Sequence, residues 1–314
     1  MAALSVHDTE PQVESTDDIF VPRAGKDFVV TEEVNRICKR ALAYFDAGYA
    51  VHLSGPSGVG KTTLAFHLAS LVGQPAVLMQ GNHELGASDI LGSNSGYRRS
   101  RVVDNYIHTV LKTEEEMRQF WEENRLARAC RKGYTVIYDE FNRSPPEANN
   151  VLLSVLEEGL LNLPAAADEG YVRVDSSFRA IFTSNPEEYA GTHRTQDALL
   201  DRMITIRLRP LSAEAEVAIA AKQSGLETEG VRLIQRIVSQ MRRQDGVEGR
   251  ASIRTTVALS KVVARQGLDW RRQGELFLDL CRDIILSAAH HLSPSEYDHL
   301  VGVLRGVVEE QLHE

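Results

Sequence analysis

The sequence predicts an α/β protein, a parallel sheet flanked by helices with a small all-helical unit after it. Three observations predict it. Short apolar runs alternate with helical periods as far as Pro210, the pattern of successive βα units in a parallel sheet. The apolar run 50–53 leads through Gly55-Pro56-Ser57-Gly58-Val59-Gly60-Lys61-Thr62 straight into a helical pattern, so a glycine-rich loop joins a strand to a helix. From about residue 213 onward helical periods continue without a strand signal.

Each element has its own warrant. Residues 1–26 are expected to form a disordered arm, acidic through Asp8, Glu10, Glu14, Asp17 and Asp18. Val34, Ile37, Ala41, Leu42 and Phe45 recur at the helical period, and Gly48 stops that helix. After the strand 50–53 and the glycine loop come a helix from Lys61 to about Val72 and a short strand, 76–79. Between Gly81 and Tyr106 the chain is rich in Gly, Ser, Asn and Asp, which predicts an extended excursion holding at most a hairpin or short helix. Residues 113–130 read as a charged helix, and the β-favouring run 134–138 ends in Asp139-Glu140. Ser144-Pro145-Pro146-Glu147 reads as a helix start, with the serine hydroxyl at the cap and proline at the first helical position. That helix turns Val151, Leu152, Val155 and Leu156 inward, and Gly159 ends it. Runs 160–163 and 171–174 form a hairpin, and the buried strand from Ala180 ends in Ser184-Asn185-Pro186. The division expected is an α/β core over 27–210, which contains the excursion and the hairpin, and a helical domain over 211–314.

Composition narrows the function. With 43% hydrophobic and 25% charged residues the chain has a soluble protein's balance, and no run reaches membrane-span length. A net charge of −9 argues against general affinity for nucleic acid. The first twenty residues contain neither Lys nor Arg and no long apolar stretch, which argues against a secretory signal and for a cytoplasmic protein. Cys38, Cys130 and Cys281 lie far apart and read as small buried residues of a reducing compartment. His290-His291 reads as a solvated helix face, and no structural metal is expected.

The chemistry is expected at strand ends. A polyphosphate needs backbone N–H groups at close range and gains from the positive end of a helix. Gly55, Pro56, Ser57, Gly58, Val59 and Gly60 supply the approach, Lys61 the charge for the terminal phosphates, and Thr62 and Thr63 the helix start. The Thr62 hydroxyl and the Asp139 carboxylate would hold magnesium. In an open parallel sheet, ligands gather at the carboxyl ends of the strands. If the three strands are neighbours, Glu140 would polarise an attacking water and Asn185 would orient it against the γ-phosphate. From residue types and spacing, a magnesium-dependent P-loop hydrolase follows, and no more.

The set resembles the AAA+ ATPases. Asp139-Glu140-Phe141-Asn142-Arg143 followed by 152–159 (Leu-Leu-Ser-Val-Leu-Glu-Glu-Gly) is similar to the MoxR branch and its CbbQ, NirQ, NorQ and gas vesicle N group. Segments 51–56, 104–108, 144–150 and 183–191 are similar to the gas vesicle N family in particular. The resemblance implies ATP and Mg2+ as cofactors, a ring of self-associated subunits, a hexamer, and hydrolysis coupled to remodelling or assembly of a protein client. Gas vesicle shell or accessory proteins are the implied partners, with no nucleic acid and no membrane span, in the cytoplasm or on the vesicles themselves. It further implies that the segments near 81–106 and 160–174 are inserts in the core, that Arg202, in Leu199-Leu200-Asp201-Arg202, reaches the ATP of a neighbouring subunit, and that Arg254, in Ser252-Ile253-Arg254, contacts nucleotide from the helical lid. Ser-Pro-Arg is the more usual form of that last motif, so Ile253 is a departure. Tyr97-Arg98-Arg99-Ser100-Arg101 then reads as a protein-contact or inter-subunit loop. Three alternatives stay open: activation of a metabolic enzyme of the Rubisco or nitric oxide reductase type, a nucleotide-gated scaffold with little turnover, and a P-loop kinase.

Overall fold

The computed structural model describes residues 19–23, 25, 28–104, 112–164, 169–186, 197–247, 252–271, 274–287 and 292–313, with the backbone alone over 93–104, 112–122 and 312–313. The expected arm over 1–18 and the His290-His291 pair lie outside them. In chain order the elements are β1 Ile19–Phe20, α1 Glu32–Asp46, β2 Ala50–Ser54, α2 Lys61–Val72, β3 Ala76–Gln80, α3 Ala87–Leu91, β4 Gly92–Asp104 and β5 Lys112–Glu123. There follow α4 Arg125–Lys132, β6 Thr135–Asp139, a 3-10 turn Phe141–Arg143, α5 Pro146–Asn149, α6 Val151–Glu157, β7 Leu160–Asn162, β8 Tyr171–Arg173, β9 Arg179–Ser184, α7 Asp197–Leu200 and β10 Met203–Arg207. The remaining helices are α8 Ala213–Ser224, α9 Thr228–Met241, α10 Ile253–Gln266, α11 Glu275–Ile285 and α12 Pro294–His313.

The main sheet runs β1-β3-β6-β9-β2-β10, parallel throughout except for the antiparallel edge strand β1. Side chains alternate across it. Val51, Leu53, Ile137 and Ile181 face α1 and α2. Tyr138, Ala180 and Phe182 face the opposite side, packed with Leu126 of α4, Leu152 of α6 and Leu161 of β7. Both faces are therefore covered, which a parallel sheet requires. Full burial of a side chain such as Leu53 is worth about 2 kcal/mol relative to exposure. The helices after β10 enclose a core of their own, built on Ile234, Ile237, Leu259, Phe277 and Leu304. Cys38, Cys130 and Cys281 are buried free thiols; burial pushes Cys130 and Cys281 up to about 12.

Four details differ from the sequence reading. Ile19 and Phe20, expected within the arm, pair with Val77 and Ala76 instead. The charged helix over 113–130 is a strand as far as Glu123, and α4 begins at Arg125 under an Asn124 cap. Its Glu, Met, Arg and Gln residues favour helix locally, but β4 offers a backbone ladder from Gly92↔Glu123 to Asp104↔Lys112. Ser144 does not cap α5; Pro145 holds that position, and the Ser144 hydroxyl is buried, accepting a 2.8 Å bond from Tyr138 Oη. Strand β10 went unread, although Met203, Ile204 and Ile206 around Thr205 carry the apolar signal of a strand.

Candidate active site

The order β6-β9-β2 makes the three polar strand ends neighbours, which was the condition for one shared site. From β2 the chain enters the glycine loop, where Gly58 and Gly60 take φ of +80° and +86°. These are left-handed conformations that an L side chain resists. Gly58 has a second reason to be glycine: a Cβ there would meet Cβ of Ser252, at the start of α10, at 2.5 Å. The loop thus sits directly against the helical unit. Lys61 opens α2, and its ammonium donates to the carbonyls of Gly55 and Pro56, both at 2.8 Å. Thr62 Oγ1 lies 2.9 Å from each carboxylate oxygen of Asp139.

Asp139 is buried at the end of β6 and accepts a second hydroxyl, that of Thr183. Thr183 Oγ1 in turn accepts the Glu140 backbone N–H at 2.9 Å. Glu140 has a φ of +52°, a conformation that costs a non-glycine residue about 1 kcal/mol or more. Its backbone is further fixed by Gly81, whose N–H donates to the Asp139 carbonyl at 2.8 Å and where a Cβ would stand 2.1 Å from the Glu140 carbonyl oxygen. The Glu140 carboxylate meets Arg143 Nε at 3.0 Å and Gln80 Nε2 at 3.4 Å. Asn185 is buried, and its carbonyl accepts from Asn142 Nδ2 at 3.4 Å. Thr183, Gly81, Gln80 and Arg143 were given no role in the site from the sequence. Thr183 left one signal, the first polar residue after the apolar run Ala180-Ile181-Phe182.

A cavity of about 1070 Å³ brings these elements together. Ser57 to Leu64, Glu140 and Asn185 line it from the sheet, and Ile253, Arg254 and Lys261 from α10. Among the described residues of its wall, eight side chains are Lys or Arg and two are Glu, in a chain whose net charge is −9. Such a local reversal of sign favours a polyanion. Arg202 is not in this wall. It sits just after α7, where its guanidinium pairs with Glu157 and the Ala198 carbonyl.

A phosphate-type loop at the edge of a parallel sheet, an Asp-Glu pair and a polar strand end beside it, and a helical unit lying over the loop define an AAA+ ATPase. The AAA domain family, dynein-related subfamily, matches residues 50–203. Among known proteins, the gas vesicle ATPase GvpN of Ancylobacter aquaticus is 43% identical over 275 residues, 87% of this chain and 77% of that protein. That of Haloferax mediterranei is 38% identical over 96% of this chain and 86% of its own length. The chain belongs to this GvpN family. NtrX of Brucella abortus, solved in complex with ADP, shares the fold with a TM-score of 0.52 at 16% identity, over 90% of this chain and 61% of its own. No described helix is long and apolar enough to cross a membrane.

Proposed function

We propose that this chain hydrolyses ATP with magnesium to remodel or assemble a protein client in gas vesicle formation, working as a ring of identical subunits. The observation that carries the reading is the meeting of the glycine loop, Asp139-Glu140 and Asn185 at the ends of three adjacent strands around one cationic cavity. Backbone N–H groups of 57–60 and the Lys61 ammonium bind the phosphates. Thr62 and Asp139 offer hard oxygen donors that already meet at 2.9 Å, a donor set that suits Mg2+. When bound there, the ion neutralises charge on the β- and γ-phosphates. Glu140 polarises the attacking water, and Asn185 holds that water in line. Arg254 contacts the nucleotide from α10. Arg202, outside the cavity wall and on an element end, serves the ATP of the next subunit. The core over 27–210, with its two inserts, and the helical domain over 211–314 are the working units of this reading. The GvpN relatives support gas vesicle shell or accessory proteins as the clients, in the cytoplasm or at the vesicle. The test is paired: Glu140→Gln should bind ATP like the parent yet hydrolyse it at least about a hundredfold more slowly. It should also fail to support vesicle formation in cells that depend on this chain. Parent-like turnover in this variant would remove Glu140 from its role, and normal vesicles without turnover would remove the client.

A further inference from the structure

Under the glycine loop, β2 carries a histidine that the hydrolytic reading leaves unused. His52 is 4% exposed on the face of β2 that looks toward the 3-10 turn, its ring edge-on to Phe141 at 5.3 Å. Its two nitrogens reach in opposite directions. Nε2 lies 2.8 Å from Ser184 Oγ on β9, and Nδ1 lies 3.0 Å from Thr205 Oγ1 on β10. A neutral imidazole carries one donor and one acceptor, so it can complete both bonds at once with two hydroxyls. The two partners have telling places in the chain. Ser184 immediately precedes Asn185, and its carbonyl also receives the Gly55 N–H at 3.3 Å. Thr205 lies three residues beyond Arg202 on the strand that Arg202 leads into.

We propose that His52 is a positioning residue of the hydrolytic site, clamping the strand that ends just before Asn185 and the strand that Arg202 leads into to the strand that enters the phosphate loop. The inference rests on the roles given above to Asn185 and Arg202. On β9 the clamp holds Ser184, the last residue of the strand, where one lost cross-strand bond lets Asn185 drift, and drift of about 1 Å can cost a hundredfold in rate. Burial keeps the ring uncharged, holding His52 down at about 4. Both bonds therefore persist across the working pH range.

The test is a mutant cycle on ATP hydrolysis, read as kcat and ATP affinity separately. His52→Phe keeps the ring volume and removes both bonds. It should lower kcat about tenfold with ATP affinity within about twofold of the parent, because the phosphate grip is untouched. On an Asn185→Ala background the same change should cost clearly less than tenfold, since only the Thr205 side of the clamp is left to lose. His52→Gln, whose amide keeps a donor and an acceptor, should recover most of the loss. Ser184→Ala, which removes the Asn185 side of the clamp alone, should reproduce much of it and serves if His52→Phe does not fold. A tenfold loss that persists undiminished on a deficient Asn185→Ala background defeats the clamp alone, as does His52→Gln behaving like His52→Phe. An Asn185→Ala chain as active as the parent defeats the water-orienting role of Asn185, and the clamp with it.

Discussion

Glu140 stands in a left-handed backbone conformation because three contacts hold it there: the Thr183 hydroxyl on its N–H, Gly81 against its carbonyl and Arg143 on its carboxylate. Strain at a single residue of this kind is characteristic of a working position. Lys61→Ala should abolish most nucleotide binding, since its charge is the one the glycine loop cannot replace; unchanged ATP affinity by calorimetry would contradict the site. His52 gives a prediction for stability. Its folded value near 4 lies below the ordinary 6.5, so between those limits the unfolded chain takes up a proton that the folded chain refuses. Stability from this group is complete above about pH 6.5 and falls as the pH drops toward 4, by roughly 2 kcal/mol at pH 5. Urea midpoints at pH 7 and 5 should differ less in His52→Phe than in the parent. At this scale the sequence was legible where chemistry imposes a residue type, as at Lys61, Asp139 and Glu140. It gave no site role to Gly81 or Arg143, whose contacts with Glu140 come from a neighbour distant in the chain and from a turn no local pattern announces.

Gly81 links the residue to its element. It closes β3 against the end of β6, and Gly81→Ala would drive a Cβ into the Glu140 carbonyl, so backbone must move. That should destabilise the fold by about 2 kcal/mol and lower kcat more than it weakens ATP binding, which thermal melts and steady-state kinetics can separate. The strands and helices around the site could be read from alternation and period because each is both local and buried: β2, β6, β9 and α2 fall where apolar runs place them. Strand β5 could not. Its composition favours helix, and only the facing strand β4, with its ladder out to Asp104↔Lys112, decides otherwise. The antiparallel edge β1 was hidden for a related reason, since two residues carry no period. Ser144 went astray through packing: its hydroxyl is buried beside the Tyr138 hydroxyl, which also lies 3.0 Å from Asn149 Oδ1, and Pro145 takes the capping position.

At the scale of the molecule the question is whether one chain holds a complete site. Its cavity gathers the loop, Glu140, Asn185 and Arg254, while Arg202 faces Glu157 elsewhere. An arginine finger contributes about 10³ to 10⁵ in rate, so a subunit relying on its neighbour's should be slow alone. Arg202→Ala and Lys61→Ala should each be nearly inactive yet recover part of the activity when mixed, because each supplies what the other's interface lacks. No recovery at any mixing ratio would count against action between subunits. The fold class was evident from the order of strands and helices, and the family from long motif blocks; the completeness of the site was not, because in the proposed ring it depends on surfaces of two copies. The most direct measurement is ATPase rate per subunit against protein concentration, with particle size determined on the same samples, with and without ATP and magnesium. The account predicts a specific activity that climbs steeply as monomers assemble into a ring and that is lost in Arg202→Ala rings of the same size. A rate per subunit that stays flat from monomer to ring would contradict it.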